Sequence, residues 1–285
     1  TGGAVVCSLL FEKRFWCRYL CPVGGMNGLM AKLSVLELRA EAGTCSGSCS
    51  SYACFKGGPA EGEGLATSGC PLGTHPAHLE DNRNCVLCLT CAQACAHRSV
   101  QLRLRPPAAD LQKGMGPPFG ERLLLLVLVG GVALHQWHSW LGWLPWAPAS
   151  LHSGPLLPRL GVGLIALALP VLVAGWWPKR LLYGLLPLVW ALLLARHLPL
   201  GMEEAGQLLR ASAYPWLGSD AAQLPGWSAD PHVVAFCQSA VMAVGLTGSL
   251  LILRRLLLTR GSLLALGSAL AVAFAIGGRW LVGFS

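Results

Sequence analysis

The sequence predicts an α-helical integral membrane protein with a small, cysteine-rich α+β domain inserted ahead of most of its helices. Three observations predict this. Of 285 residues, 54% are hydrophobic and only 12% are charged, about half the charged share of a soluble globular chain. Eleven of the twelve cysteines lie in residues 1–95, and only Cys237 lies beyond them. The long uncharged runs that are also strongly apolar all follow Arg122. This composition excludes a disordered chain. It divides the chain into residues 1–40, the end of a membrane helix with a juxtamembrane segment; residues 41–110, the cysteine-rich domain; and residues 120–285, a membrane domain.

Residues 1–10 (TGGAVVCSLL) are apolar and run into the charged FEKRFWCR. They read as the tail of a hydrophobic helix whose beginning precedes Thr1. No basic stretch followed by a small-residue cleavage site is present, so this is not read as a signal peptide. Next comes Cys17-x3-Cys21-Pro22 in basic and aromatic surroundings. A spacing of four puts both sulfurs on one helical face. The pair is a candidate redox dithiol or metal site, and a packed structural pair at a helix end is the simpler alternative. Cys7 and Cys237 read as buried structural thiols.

The sharpest motif is Cys85-x2-Cys88-x2-Cys91-x3-Cys95. Three cysteines at intervals of three can wrap their thiolates around one iron–sulfur cube. The fourth, offset by four, points to a second cube, as in the bacterial two-cluster ferredoxin run. Ala96 stands where that run usually has proline. A loosened partner half lies upstream: Cys45-x3-Cys49-x4-Cys54, then Cys70-Pro71 after a glycine-rich insertion. Cross-ligation gives two sets of four: Cys45, Cys49, Cys54 and Cys95 for one [4Fe-4S] cluster, and Cys70, Cys85, Cys88 and Cys91 for the other. Two structural zinc sites would also use eight thiolates but do not need this spacing. A disulfide framework would need an oxidising compartment. The inserted domain is therefore expected to be a bacterial-type two-cluster ferredoxin domain.

The run FWCRYLCPVGGMNGLMAKLS, followed by this module and flanked by apolar helices, resembles the membrane polyferredoxins, a family that includes the NapH, NosR/NirI and CcoG-like proteins. The resemblance covers roughly residues 11–105. It implies a Cys-x3-Cys-Pro motif beside the membrane and a cytoplasmic pair of [4Fe-4S] clusters. It also implies a quinol or low-potential donor on one side and a reductase or maturation pathway on the other.

Beyond Arg122 the uncharged runs suggest five spans, roughly 123–145, 158–177, 180–198, 233–253 and 262–283, with an outer loop at 199–231. Pro187 interrupts the third. Arg122, Lys179, Arg180, Arg254, Arg255 and Arg260 fall on one side, whereas Glu203, Glu204, Asp220 and Asp230 all lie in the 199–231 segment on the other. The basic side is read as cytoplasmic, and the cysteine-rich domain with it, in a prokaryotic inner or plasma membrane. The net charge of +8 is then an orientation signal, and no basic stripe with interleaved aromatics points to nucleic acid. Seven tryptophans near the ends of these runs (137, 140, 143, 146, 176, 177 and 280) suit an interfacial belt.

His135, His138, His197 and His232 fall near the outer span ends. Ionisable groups there are candidates for haem b ligation, a quinone pocket or a metal site; the plainer reading is an interfacial imidazole bonded to backbone or water. His75, His78 and His97 belong to the cysteine-rich domain as surface groups or groups beside its ligands. No dinucleotide fingerprint or phosphate loop appears. The chain is expected to be an electron-transfer component of an oxidoreductase system rather than a stand-alone enzyme. It would relay single electrons between a membrane or low-potential donor and a partner redox protein or membrane subunits. The alternative is an accessory factor that supplies electrons or metal for assembly of another metalloenzyme.

Overall fold

The computed structural model describes residues 2–11, 13–58, 66–112, 118–135, 161, 163–165, 168, 171–172, 179–257 and 261–282. The chain divides into two compact units, Thr1–Gly116 and Pro117–Ser285.

The first unit opens with the apolar helix Gly2–Leu10. Residues Trp16–Leu20 then wind as a π-helix, and Pro22–Met30 as an α-helix. The cysteine-rich stretch is closed at its base by two antiparallel strands, β1 (Leu36–Ala40) and β2 (Val100–Leu104), with Leu38 opposite Leu102. Residues 36–40 thus pair with the end of the cysteine-rich domain, although the sequence reading put them in the juxtamembrane part. Between the strands lie only short helical turns, including Ala42–Gly47, Ala53–Lys56 and Thr90–Gln93. A segment this irregular buries little apolar area, so its ends need another tie.

That tie is ionic. The Asp110 side chain is fully buried and pairs with Arg105 and, at 3.4 Å, with Arg39. Glu37 meets the same two guanidinium groups at 3.2 and 3.3 Å. Asn82 joins in: its N–H donates to Asp110 Oδ2 at 2.9 Å and its Nδ2 to the Leu36 carbonyl at 2.6 Å. One network thus holds β1, the residue after β2, and the segment leading into Cys85.

In the second unit the helix Leu186–Glu203 is the buried centre, with Leu186, Leu188, Val189, Ala191, Leu192 and Ala195 sealed from solvent. It runs antiparallel to Pro231–Leu257. Gln238 Nε2 donates to the Ala195 carbonyl at 3.0 Å, Gly245 sits against Ala191, and Ser249 Oγ accepts the Leu188 N–H at 3.0 Å. Small residues let the backbones approach, and the two polar bonds act as glue, as in membrane helix pairs. Pro187 stands in the first turn of its helix, where its missing N–H costs nothing.

Among the described residues one helix, Pro231–Leu256, is long and apolar enough to cross a membrane. Its outward face carries Val233, Phe236, Val244 and Leu251, each at least half exposed. The expected first span is described as the helix Phe119–His135, and the last as Gly261–Val282. Most of the second, 158–177, lies outside the described residues. The third appears as Lys179–Gly184 followed by Leu186–Glu203. The 199–231 connection is largely helical, through Ala205–Gln207, Leu208–Leu217 and Gly218–Gln223.

Asp110→Ala leaves Arg105, itself almost fully buried, without its closest counter-charge. Breaking a buried pair in this way costs about 3–5 kcal/mol. Amide hydrogen exchange on the full chain is expected to lose protection across 36–40 and 100–104, while 186–203 keeps its own.

Candidate iron–sulfur site

The loop that carries Cys85, Cys88 and Cys91 is folded against ordinary backbone preference. Leu87 and Leu89 both adopt left-handed conformations, with φ of 51° and 60°. Such positions cost a non-glycine residue on the order of 1–3 kcal/mol and concentrate at functional sites. The two reversals flank Cys88 and curl the chain around its sulfur side. Leu89 then leads into the short helix Thr90–Gln93, which carries Cys91.

Cys70 reaches the same loop despite the fifteen residues between it and Cys54. The insertion is pinched off at its base: Gly58 N–H donates to the Thr67 carbonyl at 2.9 Å, and Cys70 N–H to the Phe55 carbonyl at 3.2 Å. Gly69, at φ 78°, passes so close that a Cβ would lie 2.5 Å from the Phe55 carbonyl oxygen. Only glycine fits there. The residue before Cys70 is therefore what returns the chain to the site.

The eight thiols separate into two groups that meet at Cys54 and Cys91. Cys45, Cys49, Cys54 and Cys95 line one small hollow, partly open to solvent. Ser99 bridges two of them: its hydroxyl lies 3.1 Å from Cys45 Sγ, and its N–H donates to Cys95 Sγ at 3.3 Å. Burial, then the fields of Cys95, Cys49 and Cys45, push the Cys54 thiol up to about 11. In the other group, burial and then Cys85, Cys88, Cys54 and Cys70 push Cys91 up to about 12. Cys85 is also raised, chiefly by burial, with Cys88 and Cys70 adding to it. Cys88 departs from this pattern. Burial would raise it, but the Thr90 hydroxyl donating at 3.3 Å, backbone N–H groups and Arg14 outweigh that and lower it. Thr74 N–H donates to Cys70 Sγ at 3.5 Å.

This donor set suits an iron–sulfur group. Each group consists of four thiols, the Cys45 hollow has no Asp, Glu, Lys or Arg in its lining, and backbone and hydroxyl donors already point at sulfur. Hydrogen bonds to sulfur and burial are the levers by which a protein tunes such clusters. Among the described residues no three Cys, His, Asp or Glu side chains converge as they would on a single metal ion.

Ser99, Thr90, Thr74 and Arg14 were not singled out by sequence reasoning. Their only signal is position, two to four residues from a cysteine or in a distant basic segment. His75 was expected beside the ligands. Its Nδ1 accepts the Ala77 N–H at 3.2 Å, which leaves the proton on Nε2, 4.0 Å from Cys54 Sγ. Burial, with His78 beside it, lowers the His75 pKa and favours this neutral form.

Cys17 and Cys21 do not share an α-helical face. Cys17 lies in the π-helix and is exposed, whereas Cys21 is extended and caps the following helix. Pro22 is the reason, since it drives the preceding residue out of the helical region. Of the outer histidines, His138 and the side chain of His135 lie outside the described residues. His197 Nδ1 donates to the Leu193 carbonyl at 2.7 Å, and His232, the second residue of the helix Pro231–Leu257, donates its N–H to Asp230 Oδ1.

Comparisons with known proteins point to iron–sulfur binding in the segment that precedes these thiols. Residues 1–40 match a family model described as a 4Fe-4S binding domain; they hold Cys7, Cys17 and Cys21 but none of the eight thiols above. The chain is 31% identical over 104 residues to the putative electron transport protein YccM of Escherichia coli K12, covering 35% of this chain and 25% of that protein. It is 32% identical over 89 residues to protein NirI of Paracoccus denitrificans, covering 31% of this chain and 11% of that protein. The chain spans a quarter or less of the length of these curated relatives. No solved structure matches it.

The thiolate is the reactive form of cysteine. In the metal-free chain at pH 8, a thiol with a pKa of about 11 is ionised to roughly one part in a thousand. Iodoacetamide followed by peptide mass spectrometry is expected to label exposed Cys88 first. Cys54 and Cys91 should label last and accelerate only as the pH rises past 10.

Proposed function

We propose that this protein relays single electrons between a membrane-side, quinol-type or low-potential donor and a partner redox protein, through two [4Fe-4S] clusters. Cys45, Cys49, Cys54 and Cys95 would hold one cluster, and Cys70, Cys85, Cys88 and Cys91 the other. The observation that carries this reading is the separation of the eight thiols into these two groups of four, in contact at Cys54 and Cys91. When bound, each cluster takes up and gives back one electron. The chain's own residues do the rest. Ala53, Ala94 and Phe55 pack against Cys54 and Cys91 and keep water from the contact between the groups. Ser99, Thr74 and Thr90 donate to sulfur and offset its charge. The neutral His75 directs its Nε2 proton toward Cys54.

The same reading makes the chain an integral membrane protein of about five spans, with the cysteine-rich domain on the cytoplasmic side. It is supported by the apolar helix Pro231–Leu256 and by the charge bias of the connections. A 27-residue helix is about 40 Å long, enough for a hydrocarbon core of about 30 Å. His197, engaged by its own helix, suits an interfacial side chain.

The exposed Cys17, close to Cys21 and inside the matched 4Fe-4S family segment, favours one second reading: an accessory factor for assembly of another metalloenzyme. The double variant Cys17→Ser, Cys21→Ser separates the two. A relay keeps its electron flux, whereas an accessory factor keeps its clusters and loses maturation of its client.

Anaerobically purified full-length protein is expected to hold about eight irons and eight sulfides per chain and to give interacting [4Fe-4S] EPR signals on reduction. Cys49→Ser and Cys88→Ser should each remove or alter one of two signals. About two zinc ions per chain with no EPR signal would overturn the proposal.

A further inference from the structure

The juxtamembrane segment does not touch the two thiol groups equally. Arg18 Nη1 donates to the carbonyl of Leu72, two residues after Cys70. The aliphatic stem of Lys13 lies against Gly73, 3.2 Å from where a Cβ would stand. Gly28 packs on Arg83, with a Cβ position 3.1 Å from Arg83 Cγ. Lys32, almost fully buried, pairs with Asp81 at 3.0 Å. Arg14 is near enough for its charge to act on Cys88. These contacts fall on 72–73 and 81–88, the two stretches that carry or adjoin Cys70, Cys85 and Cys88.

The other group is arranged differently. No residue lining the Cys45 hollow precedes Thr44, and beside the four thiols its rim carries Thr44, Ser51 and His97. Lys13 reaches toward that side only through the Phe55 ring, with Nζ 4.7 Å from the ring centroid, and Phe55 lies where the two groups meet. Lys56, the nearest cation in sequence to Cys54, lies over the ring of Tyr52.

We infer that Cys70, Cys85, Cys88 and Cys91 form the membrane-side station of the relay, and that Cys45, Cys49, Cys54 and Cys95 form the station that meets the soluble partner. This rests on the two-cluster reading above and adds the order. Lys13 and Arg18 are positioning residues that meet the Cys70 loop at Gly73 and Leu72, and Arg14 adds positive charge beside Cys88. Positive charge favours the reduced, more negative state of a cluster, so the membrane-side station has its potential raised relative to an uncharged surround. With clusters held at both stations, each hop would move one electron, oxidising one station as its neighbour is reduced. A hydroquinone at the membrane would give up two electrons in turn and release two protons.

The test is an EPR-monitored redox titration of the full chain in lipid nanodiscs, with signals assigned by Cys49→Ser and Cys88→Ser. The double variant Arg14→Gln, Arg18→Gln is expected to shift the Cys88-dependent signal to lower potential and leave the Cys49-dependent signal in place. In the unsubstituted protein, a water-soluble dysprosium chelate is expected to speed relaxation of the Cys49-dependent signal several-fold more than that of its neighbour. Equal shifts of both signals, or a larger chelate effect on the Cys88-dependent signal, would overturn the order while leaving the relay intact. The chelate result decides the matter even where the double variant fails to fold. Absence of both signals with no bound iron would remove the relay reading and the order with it.

Discussion

Eight thiols share one small module, and burying several of them beside one another is the constraint around which the rest of the N-terminal unit is arranged. Burial and neighbouring sulfurs hold Cys54 and Cys91 far from thiolate at neutral pH. A cluster of iron ions reverses this, since a coordinated thiol is deprotonated outright by the local positive charge. The left-handed leucines beside Cys88, the glycine pressed against Phe55 and the donors aimed at sulfur all make sense as a cradle for such a charge. The two left-handed leucines in particular are costly choices for a bare loop.

The module has almost no conventional core to oppose that strain. Two five-residue strands and a few single-turn helices are its regular structure. The buried ion network of Glu37, Arg39, Arg105 and Asp110 supplies what packing does not. It fixes the two ends of the cysteine-rich stretch and, through Asn82, the approach to Cys85. Arg39 also acts on Cys85 from within this network, so the same side chain ties the fold and touches the site. Hydrogen bonds and ion pairs of this kind specify one arrangement strongly because leaving any member unpaired is costly.

The C-terminal unit solves a different problem by different means. Its helices carry little charge, and the contact between Leu186–Glu203 and Pro231–Leu257 depends on close backbone approach at Gly245 and Gly248, with Gln238 and Ser249 closing backbone bonds on either side. On the outside of Pro231–Leu257, Val233, Phe236, Val244 and Leu251 stay at least half exposed among the described residues. The two units therefore follow separate physical rules. One is held by charge and ligand geometry, the other by shape.

Spacing alone grouped the cysteines: thiols three apart can face one cube, the offset fourth cannot, and the eight divide into two sets of four. Hydropathy alone likewise marked the long apolar runs, because a spanning helix must satisfy its backbone internally over a stretch of near-uniform side chains. What folding in three dimensions decided was everything that depends on distant segments meeting. The strand at 36–40 pairs with one more than sixty residues later, Gly69 brings Cys70 back across an insertion, Pro22 breaks the helical face expected of Cys17 and Cys21, and Ser99 joins two sulfurs fifty residues apart. Local periodicity carries information about neighbours on one element. It carries none about which backbone carbonyl or hydroxyl arrives from elsewhere, and those arrivals set the environment of each thiol.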